Sequence, residues 1–345
     1  MASVREIAKL AGVSKTTVAM VLKNKEGVSE SMRQKVQEAI SNLRTLEESR
    51  VAEEKAGAAN GLVNAAMEEQ PLSILVLHPV KIFTSAVFRE IIRGVQAAAS
   101  LYQVQLHLTF NDPDHLNDNF EDIYLSTPIL RPKGLLVIGA RISEPVVDRA
   151  CEIGIPIILV GRRAKSSSYS SIGRNEEEIA REATGYLMDL GHRSIAFLGS
   201  SEKYQYTHDR LAGYQRAFAE RGLALREDLS IPGFDVQAAA QRLLDDPQIT
   251  AAIFVNELHA SQVLPLVKAG GKRIPDDLSV VCFDDTSISQ EFDPPLTTVS
   301  FPFFQEGFWA VRLLVEQIRH PFIESSHMVL RASLIKRKSC APPGK

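Results

Sequence analysis

The stretch Val4-Arg5-Glu6-Ile7-Ala8-Lys9-Leu10-Ala11-Gly12-Val13-Ser14-Lys15-Thr16-Thr17-Val18-Ala19-Met20-Val21-Leu22 decides how the chain begins to fold. Ile7, Ala8, Leu10 and Ala11 recur at helical spacing and predict the buried stripe of a short first helix. Gly12 permits a sharp reversal that a Cβ would resist. Ser14 is placed to cap the next helix, its hydroxyl accepting from a free backbone N–H. Val18, Val21 and Leu22 form the apolar stripe of that second helix, which leaves Lys15, Thr16, Ala19 and Met20 facing outward. A third helix is expected from Glu30 or Ser31 to Leu43, capped by Ser29, with Val36, Ala39, Ile40 and Leu43 closing a small core. Two short helices about a glycine turn make a helix-turn-helix, and the second helix fits the major groove of B-DNA. Charge separates this from a merely structural three-helix end. Arg5, Lys9, Lys15, Lys23, Lys25, Arg33, Lys35 and Arg44 face Glu6, Glu26, Glu30 and Glu38, a net +4 in a chain whose overall charge is −3. A local basic patch of this kind is what phosphate docking needs.

The next stretch reverses the sign. Between residues 45 and 70, Glu47, Glu48, Glu53, Glu54, Glu68 and Glu69 oppose only Arg50 and Lys55. The simplest reading of residues 45–71 is an acidic helical extension to about Ala56, then a flexible Gly/Ala/Asn linker.

From residue 72 the pattern changes to alternating strands and helices. Strands are expected at Ile74–Leu77, Gln105–Thr109, Gly134–Ile138, Pro156–Val160, Ser194–Leu198, Ala251–Phe254 and Ser279–Phe283. Amphipathic helices between them include Phe88–Leu101, Glu176–Leu190, Arg210–Arg221 and Ala238–Asp245. Short apolar runs alternating with helices indicate α/β architecture with parallel sheets covered on both faces. The set is too long for one sheet and divides near His192 into two doubly wound lobes.

Several stretches together resemble the lactose-repressor (LacI/GalR) family of bacterial transcription regulators. They are Ile7 to Ser14 through Gly27-Val28-Ser29, Ser171 to Glu177, Leu190-Gly191-His192-Arg193, Ile274 to Val281, Phe283-Asp284-Asp285 and Pro294 to Val299. Their order covers nearly the whole chain apart from roughly residues 44–70. The resemblance implies a helix-turn-helix domain (1–44) followed by a periplasmic-binding-protein-like effector domain (72–338). Its first lobe would hold about 72–191 and 301–322, and its second about 193–298 and 327–338. Family members carry a Tyr-x-Pro-Asn turn and a hinge helix whose Leu enters the minor groove. Here Thr45, Glu47, Glu48 and Glu54 take those positions, so an apolar wedge is not expected.

On the second helix the resemblance places Lys15, Thr16 and Met20 at base-reading positions. Met20 stands where an arginine is common, so a bidentate guanine contact is lost there and only apolar contact remains. Ala19 replaces a usual serine. Ser14 and Thr17 can donate to phosphates, with Lys23 and Lys25 as electrostatic partners.

Ligands of open α/β sheets bind beyond the carboxyl ends of the strands. The resemblance there implies effector contacts from Ser85 and Phe88 after the first strand, Arg210, Phe234, Asn256, Glu257, Asp284 and Phe303. Each also has a plainer reading: the phenylalanines as core, and Arg210 with Asp284 as a structural ion pair. Asp285 reads as a cap or turn residue, and Glu176–Glu178 as a helix cap or solvated face. The basic and apolar loop Leu77 to Ile82 leaves room for an effector other than a plain sugar, including one carrying negative charge.

The three cysteines lack CxxC spacing and the histidines lack HExxH spacing, so neither a zinc site nor a metal hydrolase is indicated, and no cofactor is expected. No nucleophile elbow or Walker loop supports an enzyme. Neither a signal peptide nor a membrane-spanning apolar run is legible, which fits the cytoplasm. The expected function is a ligand-responsive regulator, a repressor, that binds a pseudo-palindromic DNA operator as a homodimer. The alternative is a small-molecule-binding module whose operator specificity is weak or lost.

Overall fold

The computed structural model describes residues 4–22, 28–29, 31–40, 72–78, 85–110, 132–139, 144–152, 154–162, 169–199, 204–231, 233 and 235–344. The acidic extension and linker at 45–71, Lys23, Lys25, the end of the third helix, the 79–84 loop and Phe234 lie outside them. The chain divides into two units, Met1–Glu69 and Gln70–Lys345, taken separately below.

In the first unit, α1 (Val4–Ala11) and α2 (Lys15–Leu22) are joined by Gly12, whose φ of 64° is the left-handed conformation that the turn requires. Residues 31–40 form α3. Ile7, Ala8, Val18, Val36 and Ala39 close the small core, with Ala11, Val21 and Ile40 packed at its edge. Leu10 and Leu22, expected in the buried stripes, are more than half exposed. A core of five small side chains is filled before the stripes reach the helix ends.

The second unit contains two six-stranded sheets. The first holds β1 (Leu72–His78), β2 (Val104–Phe110), β3 (Gly134–Ile138), β4 (Ile157–Val160), β5 (Ser170–Arg174) and β11 (His327–Leu330). All its pairings are parallel, in the order β11-β5-β4-β3-β1-β2. The second holds β6 (Ile195–Leu198), β7 (Ser230–Ile231), β8 (Ala251–Phe254), β9 (Ser279–Asp284), β10 (Thr297–Ser300) and β12 (Ser333–Ile335). Its order is β12-β10-β9-β8-β6-β7, parallel except where β12 runs against β10. Both sheets thus repeat the 2-1-3-4-5 doubly wound order, with a switch beside the first strand of each. Strands β3, β4, β6 and β8 are buried along their whole length, as parallel strands covered on both faces must be.

Helices fill the connections: α4 (Ala86–Tyr102), α5 (Glu144–Glu152), α6 (Glu176–Asp189), α7 (Gln205–Glu220), α8 (Val236–Asp245), α9 (Glu257–Ala269), α10 (Ser287–Glu291) and α11 (Phe303–Arg319). Two boundaries differ from expectation. First, α6 follows the last core strand of the first sheet but packs on α7 and reaches β12, so the second lobe begins near residue 175 instead of 193. The contact is close because residue 213 is glycine: a Cβ there would overlap the Glu177 carbonyl oxygen. Second, β11 pairs with β5, so residues 327–330 belong to the first sheet and not the second. The Ser326 N–H and Gln317 Nε2 both donate to the buried Ser170 Oγ, which fixes that edge. The chain therefore passes between the sheets after β5, after β10 and between β11 and β12. No helix among the described residues is long and apolar enough to cross a membrane.

Candidate DNA-reading helix and interlobe site

The start of α2 is built by Ser14. Its Oγ accepts from the Thr17 N–H at 3.0 Å, and its carbonyl accepts from the Val18 N–H at 3.1 Å. The Thr17 hydroxyl lies 2.8 Å from the same Oγ. The two hydroxyls expected on phosphates are thus engaged with each other and with the helix end. Lys15 and Thr16 are exposed, while Ala19 and Met20 are half-buried.

In the second unit, the polar residues converge where β8 and β9 end. Arg210 on α7 is 2% exposed, and every nitrogen of its guanidinium faces an acceptor. Nε donates to Glu176 Oε2 at 2.7 Å, Nη1 donates to the Val255 carbonyl, and Nη2 lies 3.7 Å from Asp284 Oδ1. The planar cation also sits over the rings of Phe283 at 4.3 Å and of Tyr206 and Phe301 at 5.0 Å. Burying a charge requires such pairing and hydrogen bonding.

A second guanidinium continues the cluster. Arg174, the last residue of β5, places Nε 2.8 Å from Glu306 Oε1 and Nη1 3.4 Å from Glu176 Oε1. It lies 5.0 Å from the centres of Phe301 and Phe303. Burial works against its charge, but Glu306, Glu176 and Asp284 more than offset this and raise its pKa. The carboxyls respond oppositely. Desolvation pushes Asp284 up to about 6 and Glu306 up to about 7, although Arg210 and Arg174 pull Asp284 down and Arg174 pulls Glu306 down. Asp284 and Asp285 also hold left-handed backbone, with φ of 106° and 57°.

The structure brings together Arg210, Asp284 and Phe303 of the residues expected to contact an effector, with Asn256 and Glu257 close by on the loop after β8. The Asn256 side chain accepts from the His259 N–H at 2.7 Å and caps α9. Glu257 is buried and accepts from the Thr286 N–H at 2.8 Å, the Thr286 hydroxyl and the Ser289 N–H. Its carboxylate is thereby committed to the loop that carries Asp284. Phe88 is buried in the apolar core, and Ser85 occupies the cap position of α4 without a side-chain cap bond. Asp285 is a turn residue joined to Arg337, and Thr286 is the cap of α10.

Five participants were not expected, among them Phe301, whose ring lies under both guanidiniums. Glu176, read from sequence as a cap or solvated acid, is 6% exposed and bound to Arg210. Arg174, Tyr206 and Glu306 were not singled out. Glu306 had a visible signal: with Phe303, Ala310 and Leu314 it lies on the apolar stripe of α11, where a carboxylate is out of place unless paired.

Residues 3–44 match the model for bacterial regulatory proteins of the lacI family, and residues 184–340 match the periplasmic binding protein-like domain. The chain is 28% identical to the HTH-type transcriptional repressor PurR of Vibrio campbellii, over 98% of each chain. It is 27% identical to the HTH-type transcriptional repressor CytR of Escherichia coli, over 98% of this chain and 96% of that one. Among solved structures it is similar to a transcriptional regulator CelR–cellobiose complex, with 26% identity and a TM-score of 0.69, covering 98% of this chain and 100% of the other.

Proposed function

Since the chain belongs to the lacI family of bacterial regulatory proteins, we propose that it is a transcription regulator, a repressor, that binds a pseudo-palindromic operator as a homodimer and takes a sugar-like or other small polar effector at the interlobe site. One observation carries this reading. A single chain joins a Ser14-capped helix presenting Lys15 and Thr16 to a two-lobed unit whose charged groups converge at the carboxyl ends of β8 and β9.

On DNA, Lys15, Thr16 and Met20 are the base-reading residues, with Lys23 and Lys25 near phosphates. Met20 offers apolar contact, for example to a thymine methyl, where an arginine would read guanine. One small head reads few base pairs, so a homodimer on two half-sites is the working unit. In the second unit, Asp284 and the Asn256 amide suit the hydroxyls of an effector and Tyr206 supplies aromatic surface, while Arg210 and Phe303, buried here, reach it only when the lobes move apart. The cellobiose complex of a relative supports a sugar-like compound. An effector acts only through its different affinity for the two lobe arrangements.

The test is selection of bound fragments from randomised duplex DNA by the full chain, at a salt concentration where non-specific binding is held near ~10⁻⁴–10⁻⁶ M. An enriched inverted repeat whose half-site changes with Met20→Arg is expected. Salt-sensitive binding without enrichment would overturn the regulator reading in favour of a small-molecule-binding module.

A further inference from the structure

The buried charges lie on the segments that join the two lobes. Arg174 ends β5, immediately before the first crossing, and Glu176 opens α6, immediately after it. Phe301 and Phe303 lie at the second crossing, and Glu306 is one turn into α11 on the first lobe. Arg210 and Asp284 complete the cluster from the second lobe. The first-lobe half is the pair Arg174–Glu306, and the second-lobe half is Arg210 with Glu176 and Asp284. Two contacts join the halves: the 3.4 Å approach of Arg174 to Glu176, and the Phe301 ring, which lies 5.0 Å from both guanidiniums.

The cluster is not neutral. Three carboxyls accompany two guanidiniums, and all five side chains are at most 17% exposed. Glu306 has no exposed surface, and neither of its oxygens receives a hydrogen bond of good geometry. The groups facing it are Arg174 from β5, Glu176 from α6 and Asp284 from β9. On the α4 side its helix meets Ile91 and Val95, through Gly307. Asp284 in turn is faced by Arg210, Arg174, Glu176 and Glu257. The five side chains carry an excess of one negative charge, to which the buried Glu257 adds its own repulsion on Asp284, and the least costly remedy is to keep one carboxyl of the five protonated.

We propose that these five residues form a proton-holding latch across the two crossings, so that the joined arrangement of the lobes retains one proton which is released when they move apart. Separation breaks the Arg174–Glu176 contact and admits water to the carboxyls. The first-lobe half is then balanced, and water reaching Asp284 lets it ionise beside Arg210. Acid therefore favours the joined arrangement and alkali the separated one, whether or not an effector is bound. One proton coupled to the movement changes the ratio of the two arrangements by up to about tenfold per pH unit. Neutralising either Glu306 or Asp284 removes the charge excess and should free the latch from pH.

The test uses the full chain without effector. Spin labels at Gln105→Cys on β2 and Gln241→Cys on α8, both exposed positions, report the distance between lobes. Cys151→Ser and Cys340→Ser remove competing thiols, and dilution with unlabelled chain isolates one label pair per assembly. Distances are compared at pH 5.5 and 8.5. A longer population growing in at pH 8.5, and its absence from both Glu306→Gln and Asp284→Asn, is expected. Two variants are used so that a folding failure of one leaves the other to decide. A distribution identical at both pH values, or a full pH response retained in a folded neutralised variant, would overturn the proposal.

Discussion

Two charge networks in the second unit use the same residue types to opposite effect. On the surface, Arg226 and Arg242 share Asp228 and Asp246, with Arg226 2.7 and 2.8 Å from the two carboxylates. The two cations balance the two anions there, and the Arg226 hydrogen bond holds Asp228 below the usual carboxylate range. At the lobe junction, two arginines meet three acids in the interior, and desolvation outweighs attraction: Asp284 and Glu306 both rise. The difference teaches that proximity to an arginine does not set a carboxyl's pKa. The balance of charges around it and the desolvation of the cluster as a whole do.

The largest effect should come from Arg210→Met. It leaves Glu176 and Asp284 buried without their main cation, which should cost about 3–5 kcal/mol in denaturant unfolding of this unit. A loss no larger than that of a surface substitution would mean the cluster is better solvated than described. Next is Gly213→Ala, which acts through geometry. The Glu177 carbonyl must move to admit the Cβ, so α6 and α7 part and Arg210 leaves Glu176; about 1–3 kcal/mol of overpacking cost is expected. The smallest effect is Arg226→Met in the balanced network, where Arg242 stays on both Asp228 and Asp246 and the partly exposed pairs carry little weight. Its unfolding midpoint should coincide with that of the parent chain, and a clear loss would erase the contrast between the two networks.

Much of this fold was legible in the sequence, for identifiable reasons. Ile7, Ala8, Val18 and the Gly12 turn announced the head, because helical spacing and a left-handed glycine are local properties. The apolar runs of β1, β3, β6, β8 and β9 were equally plain. Missed were β5, β7, β10, β11 and β12, of which β5 and β10 read as polar. Ser170 and Thr297 are buried there only because Gln317, Ser326, Ser339 and Arg337 supply hydrogen bonds from remote parts of the chain. The lobe boundary was misplaced at His192 for a related reason. Gly191-His192 marks a helix end, but which sheet α6 covers depends on its contact with Gly213. At the site, Arg210 and Asp284 were expected, whereas Glu176 and Glu306 were hidden among ordinary helix acids. Their partner Arg174 lies 132 residues before Glu306 in the chain, as their numbers show.

The central claim, that the interior cluster holds a proton its surface counterpart does not, is tested most directly by stability against pH. Trp309, the only tryptophan, lies one turn beyond Glu306 and reports unfolding of this unit. Glu306 has a folded pKa of about 7 against 4.5 for the free side chain, so the folded state binds more protons than the unfolded one between those values. Its contribution is present below pH 4.5 and is lost as pH rises through 7. His259, lowered to about 4 by burial, and His192, also lowered by burial, act in the opposite sense below about pH 6.5, so the parent profile alone is mixed. The difference between parent and Glu306→Gln removes that background. The account predicts that the parent loses stability relative to Glu306→Gln by up to about 1.4 kcal/mol per pH unit between pH 4.5 and 7. Parallel profiles across that range would contradict it.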